Sequence, residues 1–327
     1  MKIKKIIIGI TLALIFMISV FLYLDSEVEE QMQMQVGYLP VLVNLPLFVA
    51  LEENYFSDYN LEVEAVEAKS PNHIVEGIIA GHLDGAGILA YPILFASEEK
   101  YPGELKLFAS SDETSEDYVA SILVKKDSGI KTIEDLKGKK IGVYTGLVQV
   151  LFLKSILAGM GFDPENDVEL VQIAPRLQLQ GLEAGQYDAL STVEPFPTIA
   201  KYKGIGEVLI KNPRVKYIQE PFPSVATPLS ADFLQDEPET ATAYLCAYRN
   251  AVDFIRNNPE KAKLHLAKYT PLTLEMTQDV TLLRFNQFGE EDQENVQKYA
   301  DWMYDQGLLN GKIDVSSMFG NLNRECS

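Results

Sequence analysis

Thr145 and Gly146 open a helix-period segment, with Gln149 one turn on. Free backbone N–H groups at such a start can hold an oxyanion such as a carboxylate or sulfonate, although the same start also serves as an ordinary cap with nothing bound. Glu194, in Glu-Pro-Phe-Pro, offers a carboxylate that would repel a simple anion and favour an amine or a zwitterion; its other role is to point away and cap the helix beginning at Pro195. Tyr38 and Tyr91 each join an apolar ring to a hydroxyl, which suits a small polar solute or equally a half-buried packing position, and Asn44 adds a side-chain amide. If both the helix start and Glu194 are used, a molecule with one acidic and one donor end fits better than a bare anion. Arg176 faces either a cleft or solvent, and the sequence does not choose among Arg214, Arg249, Arg256 and Arg284.

Catalytic constellations are not found. There is no Gly-x-Ser-x-Gly, no phosphate loop and no His/Cys spacing suited to a metal, and His73, His82 and His265 are too scattered to form a ligand set. No catalytic residue, metal or cofactor is therefore expected. Cys246 and Cys326 form either a bridge tying the C-terminal tail to a helix or two free thiols.

To carry these residues, 327 residues with 47% hydrophobic content suffice for one large or two ordinary domains with real cores. The net charge of −19 argues against nucleic acid or anionic lipid as a partner. Met-Lys-Ile-Lys-Lys precedes an uncharged apolar stretch, residues 6–24, followed by Asp25, Glu27, Glu29 and Glu30. That stretch is long enough to reach nearly across a bilayer, and the lysines place the rest of the chain outside. An uncleaved anchor is expected, with a cleaved signal peptide as the alternative, and either predicts an exported protein.

Beyond an acidic, Gln/Met-rich tether (25–35), short apolar runs alternate with helix-period segments, the pattern of parallel α/β architecture. Gly-Ile-Ile-Ala-Gly-His-Leu-Asp from Gly77 is echoed by Gly-Leu-Glu-Ala-Gly-Gln-Tyr-Asp from Gly181, each at the end of a strand-helix-strand-helix series. Gly81 and Gly185 are expected to end helices in the left-handed conformation, and Asp84 and Asp188 to form the polar turn into a strand. The echo predicts two similar lobes. Residues 117–126 and the Pro-rich run from Val215 to Leu234 are expected to cross between them in extended conformation. Helices are expected at 238–257, 259–268, 273–285 and 293–307, with Tyr244, Tyr248, Ala251, Val252 and Ile255 as a packing stripe.

Several phrases resemble the type II periplasmic-binding-protein family, in the nitrate, sulfonate, taurine and thiamine-precursor branch of the solute-binding proteins of ABC importers. They are Val-Gly-Tyr-Leu-Pro with the segment to Phe56, residues 60–64, 77–88 and 124–143, Leu-Glu-Ala-Gly-Gln-Tyr-Asp-Ala-Leu (182–190) and Glu-Pro-Phe-Pro-Thr-Ile-Ala (194–200). The resemblance covers residues 36 to about 270. Departures are Asn54 and Asn60 where glycines are usual, no lipid-attachment cysteine, and Val193 where many members have tryptophan. Asn tolerates the left-handed turn, so both turns should survive.

The resemblance implies two three-layer α/β lobes joined by two crossover strands, with a helical C-terminal extension and an N-terminal membrane anchor. The expected division is 1–24 anchor or signal peptide, 25–35 tether, 36–122 plus 220–327 for lobe 1, and 123–219 for lobe 2. In such lobes ligands meet loops at the carboxyl ends of strands, which selects 38–46, 88–92, 144–148 and 192–196. The ligand-binding candidates are Tyr38, Asn44, Tyr91, Thr145, Gly146, Gln149 and Glu194. The implied function is capture of a sulfonate/taurine-like or thiamine-precursor-like solute by hinge closure and delivery to an ABC permease, by a monomer held outside the cell membrane through its N-terminal helix. The alternative is an enzyme on the same fold, of thiamine-pyrimidine or menaquinone-precursor type; the former carries a cysteine-rich motif that this chain lacks.

Overall fold

The computed structural model describes residues 31–320 and Cys326. The expected anchor at residues 6–24 lies outside them, and no helix among the described residues is long and apolar enough to cross a membrane.

Strand β1 (Met32–Tyr38) leads through α1 (Leu45–Glu52), β2 (Leu61–Glu67) and α2 (Pro71–Ile79) to two short strands, β3 (Gly85–Ala86) and β4 (Leu89–Ala90). The first strand starts earlier than expected. Residues 32–35, assigned to a tether by composition, already alternate, with Gln33 and Gln35 exposed and Met34 and Val36 buried. Helix α3 (Tyr91–Lys100) and β5 (Leu105–Glu113) complete this stretch.

The chain then crosses into β6 (Ala120–Lys125) and repeats the order: β7 (Lys140–Tyr144), α4 (Leu147–Gly159), β8 (Glu169–Ile173), α5 (Gln178–Glu183) and β9 (Ala189–Val193). Before β7 a 3-10 turn at Glu134–Leu136 is held by Asp135, which accepts from the Lys131 and Thr132 amides at 2.9 Å each. Helix α6 (Phe196–Lys203) and β10 (Gly206–Lys211) follow. The return crossing is not extended from Val215: it begins with a helical turn, α7 (Pro213–Tyr217), started by Pro213, before β11 (Phe222–Ser230).

The remaining chain is α8 (Ala231–Asp236), α9 (Pro238–Asn257), α10 (Pro259–Leu264), α11 (Leu266–Tyr269), α12 (Leu274–Thr277), β12 (Arg284–Phe285) and α13 (Gln293–Asp305). The expected helix 259–268 is thus broken at His265. The helix expected at 273–285 spans only its first turn; Arg284 and Phe285 instead pair with Asp112 and Ser111 of β5, where Asp112 accepts from Arg284 at 2.9 Å.

One sheet runs β12-β5-β11-β3-β1-β2, with β4 attached to β11, and the other β10-β6-β9-β7-β8. Both contain the same nucleus: a first strand parallel to its second and third, and an antiparallel strand arriving from the other lobe beside the third. The echoed phrase builds that nucleus. Gly81 and Gly185 have φ of 69° and 70°, as the helix ends require. Each aspartate clasps its lobe's first strand: Asp84 Oδ2 accepts from the Gln35 amide in the middle of β1 at 2.7 Å, and Asp188 Oδ2 from the Lys140 amide that opens β7 at 2.9 Å. Gly77 and Gly181 admit Leu83 and Tyr187, which would meet an added Cβ at 2.8 Å and 2.5 Å. Asn54 and Asn60 adopt φ of 60° and 52°, the left-handed turns expected of them.

The core of the first lobe packs Phe48, Phe56 and Leu61 against the α9 stripe, where Tyr244, Tyr248, Ala251, Val252 and Ile255 are all buried. Each large apolar side chain removed from water contributes roughly 1.5–3 kcal/mol. Cys246 of this helix is bonded to Cys326, with Cα atoms 5.6 Å apart, so the pair is a bridge.

Candidate functional site

Beside the crossovers, the carboxyl ends of β7 and β9 meet the amino end of β6 within the second sheet. There a niche is lined by Ala120, Tyr144, Gln149, Phe152, Thr192 and Arg214, among others. Ala120, Tyr144 and Thr192 line it from strand ends, which the sheet holds in place, and Gln149, Phe152 and Arg214 from helices. Thr192 Oγ1 donates to Gln178 Oε1 at 2.6 Å, and Tyr144 lies 3.5 Å from Thr192 Oγ1. Burial raises the Tyr144 hydroxyl above its ordinary pKa.

Arg214 enters from α7. Its Nη1 donates to Glu113 Oε1 at 2.8 Å, and its guanidinium lies 5.7 Å and 5.5 Å from the ring centres of Phe152 and Phe222. Glu113 is fully buried at the end of β5. It also accepts from Ser224 Oγ at 3.0 Å and from the Val119 and Ala120 amides at 3.3 and 3.1 Å. One carboxylate thereby joins the last residue of β5, the end of the first crossover and the residues of the second. Asn212 adds a hydrogen bond to the Thr114 carbonyl, and the Ser115 amide donates to Glu220 at 3.0 Å.

Further contacts span the lobes. The Phe152 ring stacks on Trp302 of α13 at 4.9 Å and 9°. On α6, Lys201 pairs with Asp279 at 2.9 Å and the Tyr202 hydroxyl donates to the Glu275 carbonyl at 3.3 Å.

The residues expected at the site are only partly brought together. Gln149 lines the niche; Thr145 and Gly146 lie just before it, with Thr145 exposed and the Gly146 amide donating to Gln172 Oε1 at 3.2 Å. Gly146 has φ of 137°, which a side chain would strain. Glu194 follows the niche residue Val193, and its carboxylate turns to its own helix, accepting from the Thr198 amide at 3.4 Å. Burial, reinforced by Asp279, pushes the Glu194 carboxyl up to about 7.

On the other lobe, Tyr38 ends β1 with its ring edge-on to Phe48 at 5.6 Å and Tyr269 at 6.3 Å, and is half-buried. Asn44 is fully buried, its Nδ2 donating to the Leu39 carbonyl at 3.0 Å, so it folds the loop after β1. Tyr91 takes the packing role: it is 0% exposed, with its ring 5.5 Å from Phe95 and 6.5 Å from Tyr299, because α13 covers the first turn of α3. The exposed Ala90 stands beside it instead. Arg176 is exposed. Tyr144 and Thr192 fall in the loops selected from sequence, 144–148 and 192–196, without being named as candidates; Arg214 was one of four arginines left undecided, and Glu113 was not singled out.

Comparison with known proteins bears on this arrangement. The "Bicarbonate transport ATP-binding protein CmpC" of Synechocystis sp. is 30% identical over 190 residues, 54% of this chain and 28% of that protein. The "Nitrate/nitrite binding protein NrtA" of Nostoc sp. is 24% identical over 238 residues, 68% of this chain and 53% of that one. The chain therefore spans about half or less of the length of these curated relatives. Among solved structures, the periplasmic aliphatic sulphonate binding protein SsuA from Escherichia coli superposes with a TM-score of 0.73 at 18% identity, over 90% of this chain and 94% of that one, so the two share a fold. The NMT1-like family profile matches residues 27–269, most of the sequence, and the chain belongs to the NMT1-like family.

Proposed function

We propose that the protein is the extracytoplasmic solute-binding component of an ABC importer, capturing a small polar or anionic solute between its lobes. The observation that carries this reading is the niche at the ends of β7 and β9, where Tyr144, Gln149, Thr192 and Arg214 converge on the second lobe beside the two crossovers. A solute touching both lobes favours their closed arrangement, and closure is what a permease would read. No bond in the solute needs to be made or broken. The relatives named for nitrate/nitrite and bicarbonate, and the fold shared with a sulphonate-binding protein, support a solute of this class and a permease as partner. Attachment through residues 6–24, a monomeric state and the division at residues 122/123 and 219/220 belong to the same proposal.

The test is a thermal-shift screen of the full chain with sulfonates, nitrate, bicarbonate, amino acids and thiamine precursors. A true solute at a hundred times its Kd adds about 2.7 kcal/mol, a shift of several degrees. No shift with any member, together with turnover of one of them, would replace capture by catalysis.

A further inference from the structure

Resting on the capture reading, we infer that Arg214 is the residue that reads the solute: it takes an acid oxygen of an anionic head group, and Glu113 holds it in position to do so. Three observations lead there. First, in a chain of net charge −19 this guanidinium is placed in the niche itself, beside Tyr144, Gln149 and Thr192, with its side chain 17% exposed.

Second, it is fixed but not used up. A guanidinium carries five N–H donors. Among the described residues one hydrogen bond is found, to Glu113, while Phe152 and Phe222 lie over the guanidinium. The remaining donors are available to a ligand.

Third, Glu113 is saturated. Its two oxygens already accept from Arg214, Ser224 and two backbone amides, so the carboxylate is held by several donors at once. The niche beside the pair has a volume of about 10 Å³, about the space of one water, so a whole solute could enter only with the lobes further apart. Because Glu113 also holds the Val119 and Ala120 amides, a solute bound by Arg214 is tied to both crossovers.

The solute is thus an organic or inorganic monoanion, with sulfonate, carboxylate, nitrate and bicarbonate sharing the recognised chemistry. Trp302 is the single tryptophan of the chain and stacks on Phe152, itself a niche residue, so its fluorescence reports occupancy. The experiment titrates the full chain with methanesulfonate, acetate, nitrate and bicarbonate, using dimethyl sulfone as the neutral shape-match of methanesulfonate, and confirms each Kd by calorimetry.

The variants are Arg214→Lys and the double Arg214→Gln/Glu113→Gln, which leaves no unpaired charge buried. The tightest anion should bind the double variant at least about 30-fold more weakly, as expected for loss of a charge-assisted hydrogen bond, and Arg214→Lys should recover part of that loss. The anion-to-sulfone selectivity should collapse in parallel, which a purely structural role would not produce. Anion binding within threefold of wild type in the double variant overturns the assignment and leaves solute capture standing. So does a wild-type chain that binds only neutral or cationic members of the wider screen. Failure of every solute in both experiments overturns capture as well.

Discussion

Replacing Glu194 by glutamine should make the protein's stability less dependent on pH, by an amount that the structure sets. The carboxyl sits at the lobe junction with one amide donor, Thr198, at 3.4 Å, and burial together with Asp279 moves its titration from the ordinary 4.5 to about 7. Its folded-state pKa is raised, so the folded chain holds the proton more tightly than the unfolded one. The stability this supplies is fully present below about pH 4.5 and is lost as the pH rises through 7. Each unit of difference corresponds to about 1.4 kcal/mol, so wild type should lose about 2–3 kcal/mol from this group between about pH 5 and pH 8. Glutamine stays neutral throughout. The stability of Glu194→Gln relative to wild type should therefore rise by about 2–3 kcal/mol over that window, measured by urea unfolding at several pH values, with the other titrating groups cancelling in the difference. A gap between the two proteins that is constant to within about 0.5 kcal/mol would show that Glu194 ionises normally and that its surroundings are wetter than the packing implies.

The two aspartate clasps make a paired prediction: Asp84→Ala and Asp188→Ala should each destabilise by about 1–2 kcal/mol with unchanged m-value, and a loss at one site alone would mean that the echoed phrases are not equivalent. The Cys246–Cys326 bridge closes a loop with a sequence separation of 80, worth about 4 kcal/mol by chain entropy. Reduction, or Cys246→Ser with Cys326→Ser, should lower Tm by several degrees; an unchanged Tm in calorimetry would show that the tail is held by other contacts.

What the sequence made legible was what is settled locally. The glycines and aspartates of the echo do their work within one turn or between neighbouring strands, so their types and offsets reveal the paired lobes. Asn54 and Asn60 could be placed in left-handed turns for the same reason. Tyr91 could not be read this way: whether its hydroxyl faces a cleft or a core is decided by Tyr299, more than 200 positions away. Arg214 looked like any other arginine until the fold set it against Glu113, 101 residues earlier. The helix expected across 273–285 failed similarly, since Arg284 and Phe285 are drawn into a sheet edge that only β5 provides.

The place of β11 in its sheet has a consequence for biogenesis. All five strands of the second sheet are contained between Ala120 and Lys211, whereas β11 lies in the interior of the first, between β5 and β3. During translation the later lobe can therefore be finished while the earlier one still waits, its β4 and β5 without the strand that joins them to β1, β2 and β3 until residues 222–230 emerge. For that interval the waiting sheet exposes two unpaired edges, the sort of surface that chaperones cover. The inserted lobe, by contrast, is a continuous cassette, and exchanging it for that of a relative would graft a new niche wall without interrupting the host's own strand order.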